Sequence, residues 1–305
     1  MNQKKFNPAV RIMLSIIINF TVMFTILGIC LAAGIVDRLR TDYSLLATMN
    51  MVVGIVLGGT TLLVYRFLDK GNPFKLGFGI RRKDIGFATV VLVVSAIIAW
   101  GFIWTMSQSV SLGVVFHYEK LANLSFLLLL GYGCVGWVIG VLQEEVLNRG
   151  YFFANMNKMN VIAMFLISNL LFALTHIPTR GFHPTELIVH FVGGLTYGYV
   201  YYKSGSLWMS TILHGFHNFL LDILFNNNYS VTLVSIGRQL MNGEKLIQQI
   251  LLTVAIVLIT HLFYGKSGVW TPAQNLRKLW ESHGKLEINE VATKQKNWYR
   301  EKDFS

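Results

Sequence analysis

Residues Val141–Phe153 read VLQEEVLNRGYFF and place two adjacent carboxylates and an arginine inside an apolar neighbourhood. Ionisable side chains at bilayer depth are costly and usually face the interior of a helix bundle or a water-filled cavity. On a helix, Glu145 and Arg149 are four residues apart and share a face, whereas Glu144 points about 100° away. The stretch alone fits the polar end of a membrane helix and a functional site equally well. The choice between these two interpretations depends on the other polar residues of the chain.

The composition excludes a soluble protein. Of the 305 residues, 53% are hydrophobic and only 13% are charged, which is too apolar for a domain with a hydrated surface. The net charge of +11 is not gathered on a soluble module, so the sidedness of membrane loops explains it better than nucleic-acid binding. Cys30 and Cys134 have neither metal-ligand spacing nor a disulfide pattern. We expect an integral membrane protein without a nucleic-acid partner.

The hydrophobic runs predict an all-α fold, a polytopic membrane bundle of about eight transmembrane helices, and the polar residues among them predict a polar cavity inside the bundle. The predicted spans are about 12–34, 45–68, 86–106, 121–153, 161–177, 187–202, 206–225 and 246–264. This divides the chain into N-terminal helices (1–120), a catalytic core (121–226), a loop with the last helix (227–265) and a basic tail (266–305). The tail shows no apolar period and is predicted to be cytoplasmic and partly disordered.

Positive charge and glycine spacing add orientation and packing to this layout. With an uncleaved first span, 20 of the 26 lysines and arginines fall on the predicted inner side, which places both termini in the cytoplasm. Glycines four residues apart allow helices to approach closely, although chance explains each pair equally well. These pairs are Gly54/Gly58, Gly136/Gly140 and Gly194/Gly198.

Further polar side chains stand in the predicted spans that follow the glutamate pair. His176 lies near the end of the fifth span, and His214 and Asn218 share a face of the seventh. Together with Glu144 they are the groups needed to activate a water molecule and stabilise an oxyanion. Zinc also accepts two histidines, a carboxylate and a water, which makes Glu144, His176 and His214 candidate metal ligands. The short His-Glu-x-x-His signature of zinc proteases does not occur.

Other polar residues of the spans have a structural interpretation. A single histidine in a membrane helix is more often a helix-to-helix hydrogen bond than a catalyst, and His190, His217 and His261 are interpreted in this way. Asp222 is interpreted as an anchor near the outer end of the seventh helix.

The motifs resemble a known family when they are taken in order. Glu144-Glu145-x-x-x-Arg149, Phe172-x-x-x-His176 and His214-x-x-x-Asn218 are similar to the motifs of the CAAX prenyl protease and bacteriocin-processing family (CPBP, or Abi) of intramembrane endopeptidases. The resemblance covers about residues 121–226. It implies hydrolysis of a membrane-associated or lipidated peptide or protein, and in a bacterial cell membrane it suggests peptide maturation or bacteriocin immunity.

The resemblance also implies a role for each motif residue. Glu144 is expected to be the general base with His176 assisting it, His214 and Asn218 the oxyanion-stabilising pair, and Glu145 with Arg149 the charged support of the site. Zn²⁺ is possible as a cofactor, and the same residues fit a metal-free glutamate mechanism. A non-catalytic membrane scaffold or immunity protein and a proton-coupled transporter remain open as alternatives, although the chain has no internal repeat of the transporter kind.

One feature of this layout conflicts with the site. Span counting puts Glu144 toward the inner half of the fourth segment and His176 about 15 residues, or over about 20 Å, into the fifth helix. Either the fourth segment breaks near Gly131–Gly136, or the fifth helix starts in the membrane interface, or the boundaries are displaced by several residues.

Overall fold

The computed structural model describes residues 6–109, 113–225, 229–238, 240–265 and 268–281. Its helices follow one another as α1 (Pro8–Ala32), α2 (Tyr43–Phe67), α3 (Arg82–Ser109), α4 (Leu124–Glu145), α5 (Phe152–Asn155), α6 (Val161–Leu174), α7 (Ile177–Arg180), α8 (Pro184–Ser204), α9 (Leu207–Phe225) and α10 (Asn242–Tyr264). Short 3₁₀ turns occupy Arg38–Arg40, Pro73–Leu76 and Tyr118–Ala122. Two short strands, β1 (Val115–Phe116) and β2 (Val234–Ser235), pair antiparallel and join the loop before α4 to the loop before α10.

The helices start and end where the sequence supplies caps. The side chains of Asn7, Asp42 and Asn160 accept backbone N–H groups at the starts of α1, α2 and α6. Gly205 ends α8 with a φ of 68°, and a Cβ there would collide with the side chain of Asn275. The tight turn at Gly205 brings α9 back antiparallel to α8.

The length and composition of the helices agree with a polytopic membrane protein. In the part of the chain that the structure describes, six helices are long and apolar enough to cross a bilayer, and they correspond to the first five predicted spans and the eighth. α8 and α9 stand where the sixth and seventh spans are predicted, but their polar side chains lower their hydropathy. The all-α bundle is confirmed, and a membrane crossing by α8 and α9 stays a prediction.

Close backbone contacts bring α4 against its neighbours. A Cβ added at Gly54 would collide with the backbone of Ile139, and one at Gly136 would lie 2.8 Å from Cβ of Ala47. The predicted glycine pairs of α2 and α4 therefore lie at one interface. On the other side of α4, a Cβ at Gly215 of α9 would lie 2.5 Å from Cα of Val138. α4 is thus held by backbone contact between α2 and α9.

The fourth hydrophobic segment is longer than one membrane crossing needs, because its helix continues beyond Glu144 and Glu145. α4 is unbroken at Gly131–Gly136 and continues through a π-helical turn, Val146–Tyr151, into α5. Glu144 therefore lies about 16 Å from the end of this continuous helix, and His176 lies about 22 Å from the start of the antiparallel α6. The difference of about 6 Å is within reach of two side chains, which resolves the conflict raised by span counting.

The end of the bundle around α5 contains a large aromatic core. Tyr151 and Phe152 are fully buried there, and Leu276 and Leu279 of a helical segment, 274–281, pack into the same cluster. The tail predicted from residue 266 to be partly disordered therefore includes a packed helical segment, in which Leu276 and Leu279 are buried. The other residues of the predicted tail, 282–305, lie outside the described part of the chain.

Candidate active site

The two adjacent glutamates face different surroundings, as their helical positions predict. Glu145 is completely buried, and the side chain of Glu144 is 27% exposed and lines a cavity. The π-helical turn begins at the residue after Glu145, and Asn148 within it donates from Nδ2 to the carbonyl of Glu144 at 2.8 Å. π-helical turns are rare and often occur at functional sites.

Glu145 is the centre of a buried charged network. Its Oε1 lies 3.2 Å from Nη1 of Arg149 and 2.8 Å from Nδ1 of His214. The guanidinium also donates from Nη2 to the carbonyl of Gly194 and lies 4.5 Å from the ring centre of Phe172. The pairing of Glu145 with Arg149 agrees with the sequence prediction, and the network reaches three further helices, α6, α8 and α9.

Two imidazoles converge on the other glutamate. Nε2 of His176 lies 3.9 Å from Oε2 of Glu144, and Nε2 of His214 lies 4.0 Å from the same oxygen. On the far side of each ring, Nδ1 faces an acceptor, which is the carbonyl of Phe172 at 2.9 Å for His176 and the carboxylate of Glu145 for His214. Because both acceptors require a proton on Nδ1, each neutral imidazole presents an Nε2 acceptor toward Glu144.

α8 supplies contacts to both histidines. The ring of His190 stacks on that of His176, with centres 3.9 Å apart, and the ring of Tyr197 stacks on that of His214, with centres 4.2 Å apart. The sequence motifs place neither residue in the site. The four-residue spacing of Glu186 and His190 in the sixth predicted span is a visible signal, but a single sequence does not reveal which ring meets which.

The cavity beside Glu144 has a volume of about 260 Å³ and extends to α1. Asn218, the last of the six predicted site residues, lines it together with Glu144, His176 and His214. Its other lining residues are Ile16, Asn19, Phe20, Met23, Leu57, Trp137, Gln143, Leu147, Asn148, Thr175, Thr179 and His190. All six predicted residues thus belong to one cluster, and the wall contributed by α1 was not predicted.

The remaining polar residues have the structural contacts expected of them. The hydroxyl of Tyr197 lies 2.7 Å from Nδ1 of His217, and that of Tyr199 lies 3.4 Å from Nδ1 of His261. Asp222 accepts from Nε1 of Trp137 at 2.6 Å and so links α9 to α4. His190 differs from these because it lies in the cavity.

The residues expected to hold a metal lie somewhat farther apart than the ligands of one zinc ion. Two ligands of one tetrahedral zinc lie about 3.3 Å apart, whereas the Nε2 to Oε2 distances here are 3.9 and 4.0 Å. Within the described ranges, no group of three or more His, Cys, Asp or Glu side chains is arranged to hold a metal ion. The zinc expected from Glu144, His176 and His214 stays an untested prediction.

Comparison with known proteins adds one finding to this geometry. The family model described as type II CAAX prenyl endopeptidase Rce1-like matches residues 125–220, from α4 to α9. No similar curated protein and no similar solved structure was found. The matched segment contains the whole Glu144, Glu145, Arg149, His176, His214 and Asn218 cluster. The match covers about a third of the chain, and it supports a relationship of this segment to the CAAX protease (CPBP) family of membrane endopeptidases.

Proposed function

We propose that this membrane protein is an intramembrane endopeptidase that hydrolyses a peptide bond in a membrane-associated or lipidated peptide, with Glu144 as the general base. The observation that carries the proposal is the position of Oε2 of Glu144, within 3.9–4.0 Å of two imidazole nitrogens at a cavity inside a membrane bundle. In the described structure this oxygen has no hydrogen-bond partner. A water molecule between these groups supplies two donors, one for Oε2 of Glu144 and one for an Nε2 acceptor.

The chain's own residues account for each proton of the reaction. Glu144 takes a proton from the water, assisted by Nε2 of His176, and the resulting hydroxide adds to the carbonyl carbon of the substrate. When the proton from Glu144 passes to the leaving nitrogen, the C–N bond breaks and an acid and an amine leave. No step requires a metal.

The negative oxygen of the intermediate is stabilised from α9. Glu145 accepts Nδ1–H of His214, so Nε2 donates to the oxygen of the intermediate only when the ring carries a second proton. The side-chain amide of Asn218 is the second donor. Arg149 keeps Glu145 ionised in its buried position and so supports His214.

The substrate reaches the site from the bilayer, and in a bacterial membrane the natural reactions are peptide maturation and bacteriocin immunity. The distribution of positive charge favours cytoplasmic positions for both termini. A scaffold or immunity protein without catalysis and a proton-coupled transporter are the alternatives that the experiment has to separate.

The test is hydrolysis of quenched fluorescent peptides, prenylated and plain, by the detergent-purified protein. Glu144→Ala and Glu144→Gln are expected to abolish cleavage without changing the melting temperature. The matched control is Glu119→Gln, because Glu119 has a 71% exposed side chain outside the helices of the site. Full activity of Glu144→Gln would refute the assignment of the base, and a folded wild type that cleaves no peptide would favour scaffolding or transport. A chelator arm decides the metal question, since a metal-free mechanism predicts unchanged activity.

A further inference from the structure

α8 contains none of the six residues to which the motifs assign chemistry, yet it contacts all three parts of the site. His190 stacks on His176, the carbonyl of Gly194 accepts from Arg149 at 3.0 Å, and Tyr197 stacks on His214. Positions 190, 194 and 197 are spaced by four and three residues, so they occupy one face of the helix. One face of α8 therefore runs along the whole site.

Each site histidine is held at one edge and over one face. At the edge, Nδ1 contacts its acceptor. This contact fixes one atom of the ring, but the ring can still rotate about the line from Nδ1 to the acceptor. A parallel ring removes that rotation, and the planes are 16° apart for His190 and His176 and 15° apart for Tyr197 and His214. The two contacts together define the direction in which Nε2 points.

The two rings of α8 are themselves fixed from outside the site. The hydroxyl of Tyr197 is bonded to His217 of α9, and both residues are buried. One turn before His190, Glu186 lies 3.7 Å from Nζ of Lys245 of α10. α8 is thus connected to α9 by a buried hydrogen bond and to α10 by an ion pair.

We propose that His190 and Tyr197 are positioning residues of the reaction, which aim Nε2 of His176 and Nε2 of His214 at Oε2 of Glu144 by ring stacking. The inference rests on the proposed function and assigns a positioning role to a helix that supplies no reacting group. It predicts that a flat ring is the main requirement at both positions, and that the hydroxyl of Tyr197 contributes only through its hydrogen bond to His217. Displaced catalytic groups lower turnover more than substrate affinity, because the reacting atoms lose their alignment.

The experiment compares a ring with an aliphatic side chain at each position. His190→Leu and Tyr197→Leu are each expected to lower kcat about fivefold, with KM changed less than about twofold. His190→Phe and Tyr197→Phe keep the ring and are expected to recover most of kcat. The control is Ile188→Ala, on the exposed side of the same helix. Melting temperatures of all variants separate a change in turnover from unfolding.

Each result of this comparison either supports or overturns ring positioning. Recovery by phenylalanine but not by leucine, at equal melting temperature, supports it. Wild-type kcat in both leucine variants would overturn it, and so would phenylalanine variants as impaired as the leucine ones, because chemistry at the side chain would then be needed. Absence of cleavage by the wild type refutes the proposed function itself, whereas normal wild-type cleavage with unaffected leucine variants refutes only the positioning role.

Discussion

His214 and Glu145, which are 69 residues apart in the chain, meet with 2.8 Å between Nδ1 and Oε1. The same oxygen faces the guanidinium of Arg149, so one buried carboxylate connects the end of α4 to α9. Neither Glu145 nor Arg149 is more than 1% exposed. The buried ion pair of Glu145 and Arg149 therefore holds His214, the histidine proposed to stabilise the oxyanion, in its position.

Removing the charge of Glu145 is expected to destabilise the protein more than a surface change would. Glu145→Gln leaves Arg149 buried without its counter-charge, which costs about 3–5 kcal/mol. Denaturant titration in detergent micelles measures the loss, and yield in membranes falls with it. The double variant Glu145→Gln/Arg149→Met removes both charges and is expected to regain part of the stability. A Glu145→Gln protein that unfolds at the wild-type midpoint would contradict this account.

Asn218 is expected to matter for turnover and not for stability. Asn218→Ala removes an oxyanion donor, and such losses lower kcat by about 10²–10³-fold. Asn123 is a matched asparagine with the opposite pattern, because its side chain caps α4 by accepting the N–H groups of Ser125 and Phe126. Asn123→Ala is expected to cost about 1 kcal/mol of stability and leave kcat unchanged. Equal kcat in Asn218→Ala and the wild type would exclude the oxyanion role.

The distance between α4 and α9 depends on one glycine next to His214. Gly215→Ala forces the helices apart at Val138, and we expect lower stability together with lower kcat. Gly131→Ala on α4 is the control, because its added Cβ meets nothing within 4 Å and a helix gains about 1 kcal/mol from alanine. The melting temperature is therefore expected to fall in Gly215→Ala and to hold or rise in Gly131→Ala, in which peptide hydrolysis is unchanged. A Gly215→Ala protein with wild-type properties would show that the interface can relax.

Ile16 on α1 lines both the site cavity and a second cavity between α1 and the α5–α6 region. Ile16→Trp fills the junction of the two cavities and is expected to raise KM severalfold. Ile17→Trp is the matched control, because Ile17 is 55% exposed on the outer side of α1. Peptide hydrolysis at several substrate concentrations measures the difference. An equal effect of both substitutions would assign it to a general disturbance of α1.

Much of the fold follows from hydrophobic runs, and the two faces of the glutamate pair follow from helical periodicity. The depth of the site does not follow from the sequence. The continuous segment of α4, the π-helical turn and α5 ends at Asn155 rather than at the predicted Phe153, and no periodicity predicts the π-helical turn. His176 and His214 were found by their motif spacing.

Contacts between elements were harder to predict than the elements themselves. His190 and Tyr197 were not placed in the site, because stacking depends on the rotation of α8 relative to α6 and α9, and a single sequence holds no information about that angle. The burial of Leu276 was not predicted for a related reason. A short amphipathic segment within a polar stretch packs only where an apolar surface is available, and the sequence does not show that the aromatic core lies next to it.

The low hydropathy of α8 and α9 has a consequence for biogenesis. α8 and α9, which carry His190, Tyr197, His214 and Asn218, are not among the six described helices that are long and apolar enough to cross a bilayer, although the hydrophobic runs predict spans there. A helix with such polar groups inserts at a cost unless neighbouring helices already offer partners, as α4 offers Glu145 to His214 and Trp137 to Asp222. The helices before α8 therefore provide the contacts that allow α8 and α9 to insert. Chains truncated before α9 are expected to lack the oxyanion donors, and their α8 is expected to be poorly integrated into the membrane.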